Sequence, residues 1–139
     1  MDSKERVIKH LEITQGVINR LANNSFLIKG WSMAILAAAM LFLARVESAN
    51  SVYLTLSFAI PIIGFWGLNG YFLWQERLFR GIYNDIRVLD DSDFKMDISA
   101  QLKKPKSKWR NATFSTTLNI FYFTELSFLG LVALIISCH

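Results

Sequence analysis

One carboxyl in this chain stands where carboxyls are costly. Glu125 falls near the middle of residues 114–138, a run that is otherwise almost wholly apolar. At the centre of a bilayer an acidic side chain costs about 2.5–3.5 kcal/mol, if glutamate behaves as aspartate does. The strongly apolar residues around it return about −5 kcal/mol on the same scale, so the run is still expected to insert. A carboxyl in that position can line a pore, act as a gate, or hydrogen-bond a neighbouring helix and fix its register. These alternatives stay open in the sequence. Thr117, Asn119 and Thr124 on the same run, and Asn69 on an earlier one, can complete a polar face.

Other chemistry is poorly represented. His10 and His139 are the only histidines and Cys138 is the only cysteine, so no zinc-type cluster can form. Serines and threonines occur without a base pattern that would activate them. No catalytic residue, metal or cofactor is expected, and an enzyme is the least favoured class. Gly64, Gly67 and Gly70 repeat every third position but lack the preceding strand and lysine of a phosphate loop. Close helix packing suits them better. Gly30, Ala34 and Ala38 repeat every fourth position, the spacing that lets helices approach closely in lipid.

Three uninterrupted apolar stretches must carry these residues: 27–46, 52–74 and 114–138. Each is long enough, at about 20 residues, to cross a hydrocarbon core as a helix. The composition agrees, with 53% hydrophobic and 14% aromatic residues and a mean hydropathy of +0.31. What is left over is too short for an independent soluble domain with its own core. The expected class is all-α integral membrane, one domain over residues 1–139, oligomeric. The first stretch lies too far from the amino terminus, and has Glu47 too near its only plausible cleavage point, to read as a signal peptide. A single cysteine allows no intramolecular disulfide.

Charge sets the expected orientation. Fourteen of the 15 Lys and Arg residues precede the first stretch, open it, or lie between the second and third. By the positive-inside rule both of those segments face the cytoplasm, and the carboxy terminus lies outside. Within residues 1–25, Val7, Leu11, Thr14, Ile18, Leu21 and Ser25 fall on one helical stripe. Asn23-Asn24-Ser25 is the natural place for a bend before the membrane. After Trp74, Leu78, Phe79, Ile82, Tyr83, Ile86 and Leu89 recur at helical spacing, which predicts a second helix continuing to about residue 89 as a cytoplasmic stalk. Pro61 is expected to kink it. The two amphipathic stripes solve each other's exposure by pairing, within or between subunits. Arg77, Arg80, Arg87, Lys103, Lys104, Lys106, Lys108 and Arg110 are the expected contacts for anionic lipid, an anionic ligand or a protein partner. Nucleic acid is not expected.

Two segments carry a resemblance. Asn24-Ser25-Phe26-Leu27-Ile28-Lys29-Gly30-Trp31, and Gly70-Tyr71-Phe72-Leu73-Trp74-Gln75-Glu76-Arg77-Leu78-Phe79-Arg80 leading into Ile82-Tyr83, resemble small bacterial multi-span proteins of anti-phage defence loci. Those proteins are often encoded beside TIR-like or nucleotide-signalling partners. The resemblance covers roughly residues 10–90 and implies an inner-membrane effector. Such an effector permeabilises or depolarises the membrane when a cytoplasmic sensor protein or a signalling nucleotide reports infection. The rival expectations are a membrane anchor that recruits a cytoplasmic partner, and a holin-like pore, against which the long stalk counts.

Overall fold

One helix, α1, runs without a break from Ser3 to Leu43. The computed structural model describes residues 2–43, 45, 51–105 and 107–138, and the turn expected between the first two spans, Lys106 and His139 lie outside them. Five further helices follow: α2 (Ser51–Ser57), α3 (Ala59–Ile86), α4 (Ser99–Leu102), α5 (Trp109–Thr113) and α6 (Thr116–Cys138). No strand occurs among the described residues. At 1.5 Å per residue, α1 is about 60 Å long, twice the thickness of a hydrocarbon core. Its amino-terminal half therefore projects beyond any membrane its carboxy-terminal half crosses. Asn23-Asn24-Ser25 stays helical, contrary to the expected bend, because Ser25 turns inward against α3 and the tertiary contact outweighs local propensity.

The second apolar stretch is divided at Phe58, three residues before the proline expected to kink it. The cause is still Pro61. Its ring nitrogen cannot donate to the carbonyl one turn back, at Ser57, and its ring crowds that carbonyl. The chain tightens there into a turn in which the Phe58 amide donates to Thr55 O at 3.2 Å. Pro61 then occupies the first turn of α3, where a missing donor costs nothing. The helix stops at Ile86, three residues short of the expected end. The third apolar stretch becomes helical at Thr116, since Phe114 instead caps α5.

Three helices are long and apolar enough to cross a membrane: Ser3–Leu43, Val52–Ile86 (taken across the turn at Phe58) and Thr116–Cys138. Only 17–22% of their most apolar windows is buried inside the protein. Phe26, Leu41, Ile60, Ile120 and Leu134 all point outward. So much apolar surface is not compatible with water as the solvent, and the chain is a multi-pass membrane protein. The core they enclose is small: Ile62, Leu118, Tyr122 and Leu129, flanked by Leu36, Trp66, Leu73 and Leu126.

The two amphipathic stripes meet within one chain. Thr14, Ile18 and Ser25 of α1 are buried, as are Leu78, Ile82 and Ile86 of α3, and α1 and α3 form the most extensive helix pair. Beyond α3 the chain returns over both helices. Arg6 grips Asp91 with two nitrogens at 2.8 and 2.6 Å. The buried His10 ring meets Ser92 Oγ at 2.6 Å through Nδ1, while its Nε2 has no partner. Phe94 lies beside that ring in the left-handed backbone region, φ 59°, with its amide on Ser92 Oγ at 3.2 Å.

Candidate functional site

A polar seam runs up the inward face of α1, and it builds the candidate site. Ser25, Ser32 and Ala39 recur every seven residues on that face and are buried. Two helical turns, about 10 Å, separate the two serines. Each reaches a different helix. The Ser25 hydroxyl donates to Asn69 Oδ1 on α3. Asn69 Nδ2 donates onward to the Tyr122 hydroxyl on α6 at 3.1 Å, and that hydroxyl donates to Phe65 O at 3.3 Å. Lys29 Nζ donates to Ser25 Oγ at 3.2 Å from the edge of the seam. Asn69 and Tyr122 are wholly buried, so this chain ties all three spans at one level.

At the next level the Ser32 hydroxyl donates to Glu125 Oε2 at 2.6 Å. Ser32 is wholly buried and Glu125 is 6% exposed. Glu125 thus bonds α1 of its own chain. Its second oxygen, Oε1, is buried without a hydrogen-bond partner. The carboxyl also borders a groove of about 520 Å³ between α1 and α6, walled by Met33, Leu36, Ala37, Met40, Phe121 and Phe128. An oxygen with unused accepting capacity beside an apolar groove can take a donor from outside the subunit.

The other polar residues singled out from the sequence are placed differently. Thr124 shares the groove wall, but its hydroxyl donates to Ile120 O on its own helix at 2.7 Å. Asn119 folds back to Phe114 O at 3.2 Å and leaves Oδ1 unpartnered. The glycines divide too. A Cβ on Gly70 would lie 2.8 Å from Thr113 Cα, so only glycine lets α5 seat against α3 there. Gly67 faces Trp109 at ordinary contact distance, and Gly30 and Gly64 face open space. Ala34 and Ala38 are exposed with Gly30. At about 100° per residue, this small-residue face lies roughly opposite the Ser25–Ser32 seam.

Among the basic residues, Arg80 pairs with the nearly buried Glu76 at 2.7 Å. Arg77 Nη1 donates to Asn111 O at 3.2 Å. Arg87, Lys103, Lys104, Lys108 and Arg110 are exposed. In the same charged region, the Lys95 ammonium bonded to Asp93 holds that carboxyl below its ordinary value and is itself raised. The Ser99 side chain and amide do the same for Asp97. No metal-binding group of His, Cys, Asp and Glu occurs among the described residues.

Comparison with protein-family models, curated proteins and solved structures returns no match. The site's own geometry therefore carries the functional argument. Sequence reasoning missed Ser32 and Tyr122 as members of the site, as well as the His10–Ser92 contact. The seven-residue repeat of Ser25 and Ser32 was the available signal.

Proposed function

We propose that this chain is a self-assembling inner-membrane effector that makes the bilayer permeable, in the manner of an abortive-infection protein of anti-phage defence. One observation carries the reading. The Gly30-Ala34-Ala38 face, suited to close helix contact, is left unoccupied on the side of α1 away from its own bundle. A single chain with three spans has most of its buried polar groups tied to one another and is too small to enclose a conduit alone. A ring of subunits joined through the small-residue face can enclose one, with the unpartnered Glu125 oxygen at or near a subunit contact. Basic-residue placement supports an orientation with amino terminus and stalk in the cytoplasm and carboxy terminus outside. The paired α1–α3 layer is where a sensor protein or a signalling nucleotide would act.

The test is membrane potential during induced expression in bacteria, read with a potential-sensitive dye, together with oligomer size in mild detergent. Wild type is expected to depolarise cells and to run as an oligomer. Ala34→Phe, whose ring points away from the bundle, is expected to remain folded and lose both. An intact potential under every triggering condition refutes permeabilisation, and a wild-type monomer refutes the assembly. A second reading, an anchor recruiting a cytoplasmic partner, is favoured by the exposure of Arg80 and Arg87 on the projecting end of α3. It predicts that charge reversal at those two arginines abolishes recruitment, while Glu125→Ala alters only stability.

A further inference from the structure

Where α3 leaves its apolar stretch, the returning chain that carries α4 and α5 closes a cavity of about 320 Å³ against it. Three cations line this cavity: Arg77 from α3, and Lys104 and Lys108 from the segment between α4 and α5. No carboxylate lines it, and none of the three cations belongs to an ion pair among the described residues. Like charges gathered around one space repel unless an anion occupies it. The arrangement is nevertheless held firmly. Trp74 Nε1 donates to Ser107 O, Ser107 Oγ donates to Leu102 O at 2.7 Å, and Arg77 holds Asn111 O. Gln101, bonded to Asp85, is seated so closely over Gly81 that a Cβ there would collide with it. The remaining wall is apolar, from Trp74, Leu78 and Ala112.

Its depth identifies the ligand. Trp74 ends the apolar stretch and Arg77 begins the charged one, so the cavity lies at the level of lipid headgroups, where tryptophan concentrates. The geometry points to a binding site for one anionic phospholipid, its phosphate between Arg77, Lys104 and Lys108 and its glycerol end against Trp74 and Leu78. This site needs only the membrane location of the chain, so it stands or falls separately from permeabilisation. It also divides the basic residues. Arg80, which pairs with Glu76, and Arg87, Lys103 and Arg110 do not line the cavity.

The experiment uses the full chain in phosphatidylcholine nanodiscs containing a minor fraction of phosphatidylglycerol, with retained lipid counted by native mass spectrometry. Wild type is expected to keep one phosphatidylglycerol per chain. Lys104→Gln with Lys108→Gln is expected to weaken retention about 100-fold, because two charge-assisted hydrogen bonds to one phosphate are lost. Lys103→Gln with Arg110→Gln removes the same charge from outside the cavity and is expected to weaken retention clearly less. Equal losses in the two variants would mean a diffuse basic surface and overturn the site. So would equal retention of phosphatidylglycerol and phosphatidylcholine by wild type. Inorganic phosphate added in millimolar excess is expected to leave the lipid in place. Displacement by phosphate would overturn the lipid assignment in favour of a soluble phosphate ligand.

Discussion

Asn69→Leu tests the polar seam most directly. Leucine has the same branching and number of side-chain heavy atoms, is somewhat bulkier, and is favoured in lipid, so the change creates no cavity and does not hinder insertion. It removes an acceptor from Ser25 and a donor from Tyr122, the two bonds through which α3 ties α1 to α6. Bonds of this kind within a membrane are worth about 0.6 kcal/mol on average and at most about 1.7. Two of them give about 1–3 kcal/mol. The lower half of that range is expected, because both partners keep other contacts. Tyr122 retains its bond to Phe65 O, and Ser25 still accepts from Lys29 and can turn its proton to its own helix. The expected loss is thus about 1–2 kcal/mol, measured by reversible denaturation in mixed micelles followed by helical circular dichroism. Asn119→Leu, which breaks only a bond to the nearby Phe114 carbonyl, is expected to cost less than about 0.5 kcal/mol. A double-mutant cycle of Asn69→Leu with Tyr122→Phe should show coupling of about 0.5–1.5 kcal/mol. No coupling, or an Asn119 effect as large as that of Asn69, would refute the claim that this seam holds the spans together.

Three further outcomes are expected. Gly70→Val should destabilise the protein by about 1–3 kcal/mol in the same assay, since its side chain must displace the Thr113 backbone. Gly64→Val, which faces open space, should change little. Ser32→Ala leaves both Glu125 oxygens without a donor in a water-poor site and should cost about 1–3 kcal/mol, whereas Ser32→Thr should recover most of it. The Asp93–Lys95 ion pair, read by the side-chain NMR shifts of the two residues, should stay intact from about pH 4 to pH 10. Asp93 and Asp97 lie below their ordinary value of 3.8, so their contribution is complete above it and fades as the pH falls through the lowered values. Lys95 lies above its ordinary 10.5, so its contribution is complete below that value and is lost only at higher pH. Loss of the pair between pH 5 and 8 would contradict this assignment.

The parts of the fold legible in the sequence were those set by one-dimensional rules. Span length and hydropathy locate the membrane helices, because a bilayer demands continuous apolar surface whatever the helices do to one another. The stripes of Val7, Leu11 and Ile18 and of Leu78, Ile82 and Ile86 announce themselves because 3.6-residue periodicity is local. Glu125 is conspicuous through its cost. Its partner is not, since a serine in a transmembrane helix is unremarkable until another helix is placed beside it. Tyr122 hides for a related reason: within an apolar run its ring reads as hydrophobic, and only the register of α6 against α3 gives its hydroxyl a role. Pro61 marks a disruption, but the backbone yields at the carbonyl it cannot serve, one turn earlier than the residue itself.

The division of the second span at Phe58 gives its two parts different allegiances. The short first part, α2, packs chiefly on α6, whereas the long second part, α3, packs chiefly on α1. A rigid rod would force α1 and α6 to shift in concert. An articulated one leaves the α2–α6 end of the bundle free to tilt while the α1–α3 end keeps its grip. The joint lies within the second apolar stretch, and the Ser32–Glu125 hydrogen bond is what links α1 to α6 directly.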